Sequence, residues 1–195
     1  MSRVKVILSR PRRALAALAT VLVAVGLTGA SGANFTSQTA NPSNVFTAGS
    51  LSMFNSKDNA AILTAANMRP GDPATKSTVD IQNTGSLSAP FTLSKGTLTN
   101  TDATFPLASK LNVVVTDCGD FASGTPVCGD AGDVVKFSGG TLTQMGGGAN
   151  PIAALGTFAA NEKHRYEFSV ALDASADNNY QGDSATAQFV WDATS

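Results

Sequence analysis

In the stretch HRYEFSVALD, Tyr166, Phe168, Val170 and Leu172 fall on one side of an extended chain, and Arg165, Glu167, Ser169 and Ala171 fall on the other. Successive side chains of a strand point to opposite faces, so this pattern describes a half-buried antiparallel strand and not a helix. SATAQFVWD repeats it, with Ala185, Ala187, Phe189 and Trp191 alternating with Thr186, Gln188 and Val190. The intervening ASADNNYQGDS is dense in Asp, Asn and Gly, which is turn chemistry. Strand, loop and strand read as a C-terminal hairpin.

Weaker strand patterns precede it: SLSMF (50–54), AILTAAN (61–67), STVDIQN (77–83), PFTLS (90–94), LNVVVTD (111–117) and VVKFS (134–138). Their separators, RPGDP, NTGSLS, GTPVCGDAGD and GGG, are rich in Gly, Pro, Asn and Asp. About eight short strands at such spacing, with no helical periodicity between them, predict an all-β fold, an antiparallel jelly-roll-like β-sandwich. No long repeat or linker divides residues 47–195, which are read as one domain. A chain of 195 residues that is 43% hydrophobic and only 14% charged is long enough for one real core, and it favours a β-rich exported protein.

The first 33 residues stand apart. Arg3, Lys5, Arg10, Arg12 and Arg13 form a basic head, residues 14–27 are apolar or small, and TGASGA ends the run in small residues. These are the parts of a secretory signal peptide, with cleavage expected between Ala33 and Asn34, or alternatively after Ala30. The apolar run is shorter than the roughly 20 residues of a spanning helix, so no stable membrane anchor is expected after cleavage. Loss of five basic residues leaves eight basic against fourteen acidic residues, a net charge of −6 on 162 residues. That balance argues against nucleic acid and anionic membranes as partners. The expected location is secreted, in an extracellular matrix or at the cell surface.

Chemistry-bearing motifs are few. Cys118 and Cys128 form a close pair in a Gly- and Pro-containing loop, which in an exported protein reads as a disulfide. HExxH, GxSxG and GxxxxGK are all missing, and His164 is the one histidine, read as a solvated strand end beside Lys163 and Arg165. Asp173, Asp177, Asn178, Asn179 and Asp183 could offer oxygen ligands to Ca²⁺, but turns favour the same residues and the spacing is not that of an EF-hand. No catalytic residue, cofactor or metal site is assigned, and the chain is read as a non-enzyme.

Three stretches in order, GANFTSQTANPSNVFTAGSLSM, NMRPGDPATKSTVDIQNTGSLSAPF and ADNNYQGDSATAQFVWDAT, resemble the TasA/camelysin family of exported bacterial proteins, which includes biofilm-matrix fibre proteins. The likeness is carried by Phe35 to Thr39 with Phe46, Gly49 and Leu51; by Pro70, Gly71 and Asp72 with Asn83, Gly85 and Ser86; and by Tyr180, Gln181, Gly182 and Ser184 with Phe189, Trp191, Ala193 and Thr194. Residues 95–160 match nothing specific. The resemblance implies a jelly roll, export through a dedicated signal peptidase, and fibres in which the N-terminal strand of one subunit enters the sheet of the next. Some relatives carry a metalloprotease label, which one histidine and no HExxH do not support here.

Residues 34–46 would form the free end of the exported chain. By composition alone, Asn34, Phe35, Thr36, Ser37, Gln38 and Thr39 fit equally an ordinary first strand or a strand donated to a neighbour, with Asn41-Pro42-Ser43-Asn44 as a turn-prone hinge. The resemblance implies donation, hence self-association into fibres, with other matrix proteins as further partners. The alternative is a monomeric secreted β-sandwich that binds a surface glycan or serves as a fibre accessory. N-terminal sequencing of the secreted protein should find Asn34 first; a start at Met1 would mean that the basic segment is retained.

Overall fold

Among the described residues eight strands are found where alternation and turn residues suggested about that many, though not all in the same places. The structure is a computed structural model that describes residues 48–146 and 153–194. The leader, the Ala33–Asn34 junction and the candidate donor residues Asn34, Phe35, Thr36, Ser37, Gln38 and Thr39 lie outside the described residues.

The strands are β1 (Met53–Asn55), β2 (Thr75–Asn83), β3 (Ala89–Asn100), β4 (Leu111–Asp120), β5 (Val134–Thr141), β6 (Ala153–Phe158), β7 (Lys163–Leu172) and β8 (Ala185–Ala193). They form a five-stranded sheet in the order β1-β2-β7-β4-β5 and a three-stranded sheet in the order β6-β3-β8. Every pairing between neighbours is antiparallel. The fold is an all-β sandwich.

Alternation decides which side chains enter the space between the sheets. Val79 and Ile81 on β2, Val113 and Val115 on β4, and Tyr166 and Phe168 on β7 are at most 1% exposed and line one wall. Ala89, Phe91 and Leu93 on β3, all 0% exposed, line the other. Phe91 stacks on Phe158 at 4.4 Å between ring centroids. Full burial of each such Phe or Leu is worth about 1.5 to 3 kcal/mol.

The expected C-terminal hairpin is not formed. β7 belongs to the larger sheet and β8 to the smaller, and the two face each other across the core, with Tyr166 against Trp191 at 5.1 Å and Phe168 against Phe189 at 4.8 Å. The reason lies in the connection. It holds an Asp173–Ala176 turn, a 3-10 turn (Asn178–Tyr180) capped by Asp177, and a Tyr180–Asp183 turn, so the chain has room to cross between layers. Two further differences concern strands. Residues 61–67 join no ladder among the described residues, whereas β6 forms from AALGTF, where small residues hid the pattern.

The quoted motifs turn out to be joints. Pro70 and Gly71 occupy the centre of a turn closed by Asp72 N–H donating to Arg69 O (3.1 Å), and Gly71 at φ +84 supplies the left-handed position that a type II turn demands. Asn83 is fully buried; its Nδ2 donates to Leu87 O and Phe158 O at 2.8 and 3.1 Å, and its Oδ1 accepts from Gly85 N–H at 2.9 Å. A Cβ on Gly85 would collide with the Ser50 carbonyl, so glycine lets residues 50–52 lie against this turn.

Cys118 and Cys128 are disulfide-bonded, with Cα atoms 4.9 Å apart. The loop they close rests on the outer face of the larger sheet. There Lys163 Nζ sits 4.1 Å from the centroid of Phe121, and Arg165 donates to Pro126 O (3.3 Å) while binding Asp80. Because these contacts hold the loop from a second side, replacing both cysteines by Ser should leave a β-type circular dichroism spectrum and lower stability by at most about 3 kcal/mol in denaturant titration. Free thiols in the non-reduced secreted protein would contradict the pairing.

Candidate functional site

Two places in the sandwich could carry function, one apolar and one ionic. The apolar one follows from the unequal sheets. β8 pairs with β3 and, among the described residues, with no strand on its other side. Its inward residues Ala185, Ala187, Phe189, Trp191 and Ala193 are therefore only half-buried, whereas Ala89, Phe91 and Leu93 on neighbouring β3 are completely covered. Val170 on β7 is likewise half-buried between the buried Phe168 and Leu172. A groove of about 1190 Å³ runs here, floored by Leu111, Phe168 and Val170 and walled by β8 and by residues 57–68. The Trp191 indole N–H is shielded from solvent yet has no acceptor among the described residues. A sheet edge beside apolar floor is a place where another strand can bind through its main chain.

The ionic place is at one end of the core. His164 shares the inward parity of Tyr166 and Phe168 on β7, and it is not a solvated strand end: its side chain is 16% exposed. Asp117, inward on β4, meets its Nδ1 at 3.0 Å, and Glu162, just before β7, meets its Nε2 at 3.0 Å. Lys136 on β5 reaches Asp117 at 3.5 Å and donates to Leu155 O on β6 at 3.2 Å. Burial works against the imidazolium, but hydrogen bonds to Asp117 and then Glu162, with their charges, outweigh it and raise His164 above its ordinary value. Burial likewise works against the Asp117 carboxylate, and His164, the Gly119 N–H and Lys136 together hold it below the usual range. Burial foremost pushes the Tyr166 hydroxyl up, so it stays neutral beside them.

Residues 11–104 match the model of a known family, the camelysin metallo-endopeptidases. Over this part the chain is similar to the camelysin family. No curated protein matches the chain. The matched span contains the Pro70-Gly71-Asp72 turn and the Asn83-to-Ser86 joint, while the Tyr180-to-Ser184 turn lies beyond it. The camelysin family is typically extracellular or surface-associated. Among the described residues no helix is long and apolar enough to cross a membrane.

The camelysin name implies a metal, and the donor set does not fit one. Every His, Cys, Asp and Glu of the chain lies among the described residues, and no three of them are placed to hold an ion. Both cysteines are consumed by the disulfide. A histidine ligates through an unprotonated ring nitrogen, and each nitrogen of His164 faces a carboxylate that favours its proton. The cluster is an ion cage that ties β4, β5 and β7 to the β6–β7 connection.

The acidic loop residues after β7 hold turns. Asp173 binds Ser175 and Asn112, which hold its carboxyl at about 2, and Asp177 caps the 3-10 turn, so both act as turn residues. The His164 cage escaped notice because Asp117 and His164 are far apart in sequence. Their common inward parity on two strands was the available signal.

The cage makes stability depend on pH in a definite sense. Folding raises His164 above 6.5, so its contribution is complete below about 6.5 and is lost as pH rises through the folded value. Asp117 does the opposite: its contribution is present above 3.8 and is lost as pH falls through the lowered folded value. Between roughly pH 6 and 9 the melting temperature of the wild type should therefore fall relative to that of His164→Gln, whose profile should be flatter. Parallel profiles would show that the imidazolium is not bound as described.

Proposed function

We propose that the protein is a structural subunit of an extracellular or biofilm-matrix fibre, and that subunits join when residues 34–39 of one copy insert as a strand beside β8 of the next. The observation that carries this reading is the half-covered inner row of β8, which lacks a neighbouring strand among the described residues while its partner β3 is fully buried. The occupant is argued from the chain itself. Residues 34–46 precede the domain, and thirteen extended residues reach roughly 45 Å, more than the roughly 30 Å of the nine-residue β8. Phe35, Ser37 and Thr39 would present one face to the groove. The likeness of residues 11–104 to the camelysin family supports an extracellular, matrix-related role.

A head-to-tail contact of this kind generates filaments when the rotation between subunits does not close a ring. The glycan-binding alternative is less well supported. Phe121 is covered by Lys163 and Arg165, and Tyr180 packs edge-on against Phe105 with Lys110 near its face, so neither ring belongs to an open stacking platform.

Removal of residues 34–40 should leave a folded monomer, because the core strands pair without them. A synthetic peptide of that sequence should bind the truncated protein and cap growing wild-type fibres. Phe35→Asp should abolish or shorten fibres in electron micrographs, since burying that ring is worth about 1.5 to 3 kcal/mol. Unfolding of the truncated protein would make the segment a home strand; undiminished polymerisation would place the contact elsewhere.

A further inference from the structure

The wall of the groove opposite β8 has an unusual construction. Residues 61–66 carry no regular secondary structure, and within them Leu63 and Ala65 are half-buried while Thr64 and Ala66 are exposed, the alternation of a strand. Among the described residues, however, no hydrogen bond involves their main chain. The segment is bounded by Asn59 and Asn67, both left-handed at φ +54, a conformation that Asn tolerates as a single-residue bend. Beyond these bends the chain is anchored at both ends, by Ser56 N–H to Asp80 O on β2 (3.0 Å) and by Gly71 N–H to Leu172 O on β7 (3.3 Å).

We infer that residues 61–66 are a strap that takes the inserted strand between itself and β8, becoming a strand only when the groove is filled. The inference rests on the donor-strand reading above and adds the second partner of the donor. A strand paired with β8 alone would leave half of its N–H and C=O groups facing the opposite wall without partners. The strap lines that wall, and its own main chain lacks partners among the described residues. Two edges without partners among the described residues, facing one apolar floor, complete a ladder with a single incoming strand. The left-handed bends let the strap shift without disturbing its anchors, and the ordering of the strap couples groove occupancy to its rigidity.

Hydrogen exchange with mass spectrometry on the secreted full-length protein, monomeric and assembled, tests this. Amides of residues 63–66 should exchange rapidly in the monomer and slow by at least about 100-fold on assembly, together with those of residues 185–191. Slowing at 185–191 without slowing at 63–66 overturns the strap and leaves the donor-strand reading intact. Slowing at neither, or failure to assemble, overturns that reading and the strap with it. Thr64→Pro and Ala65→Pro give an independent measure. Neighbouring amides of a strand point to opposite edges, so one of the two variants should slow assembly by at least about tenfold more than the other, with the monomer's melting temperature unchanged in both. Assembly of both at the wild-type rate overturns the strap.

Discussion

Tyr166 and Phe168 project from β7 onto Trp191 and Phe189 of β8, and the architecture is arranged around that meeting of rings. β7 is flanked by β2 and β4, so it fixes the larger sheet, and among the described residues β8 pairs with β3 alone. The aromatic contact joins the layers where ladder hydrogen bonds cannot. It also makes β8 an edge with a reason to stay in place. Offset and tilted aromatic pairs contribute about 0.5 to 1.5 kcal/mol each beyond the area they bury, so β8 keeps its position although its inner row is only half-covered.

The opposite design operates around His164. Burying charges is costly unless each has a partner, and here Asp117, His164, Glu162 and Lys136 answer one another while Lys136 also satisfies a carbonyl of the facing sheet. The core thus has an ionic seal beside Phe158, whose ring stacks on the imidazole at 4.5 Å. A family description that mentions a metallo-endopeptidase and a lone histidine held between two carboxylates point in different directions, and the coordination chemistry favours the structural role.

Much of the layer structure was legible because a strand's inward row is written in the sequence at period two. Val79 and Ile81, Val113 and Val115, and Tyr166 and Phe168 all announced their face. What alternation cannot tell is which strand pairs with which. β7 and β8 look like a hairpin from sequence, since pairing and face-to-face packing demand the same inward residues. The AILTAAN pattern was also genuine, but alternation records burial and not hydrogen bonding, so a segment with one face on the groove passes for a strand. β6 failed to register because its interior includes Leu155 and Phe158 among small residues. The groove itself arises from a difference in strand number between two sheets, which no single segment encodes.

The remaining sheet edges are built differently from that of β8. β1 is three residues long, and the register shifts opposite β4 and β3 place extra residues on β5 and β6, which kinks both. The extra residue in the β3–β8 ladder falls on β3, leaving β8 an uninterrupted run of nine residues. Short and bulged edges resist adventitious pairing. If the long edge alone accepts a strand, each molecule has a functionality of two, one group to give and one site to receive. Such units lengthen without branching, and every polymer has unlike ends, an empty acceptor at one and a spare strand at the other, so growth has a direction set by the monomer's own asymmetry.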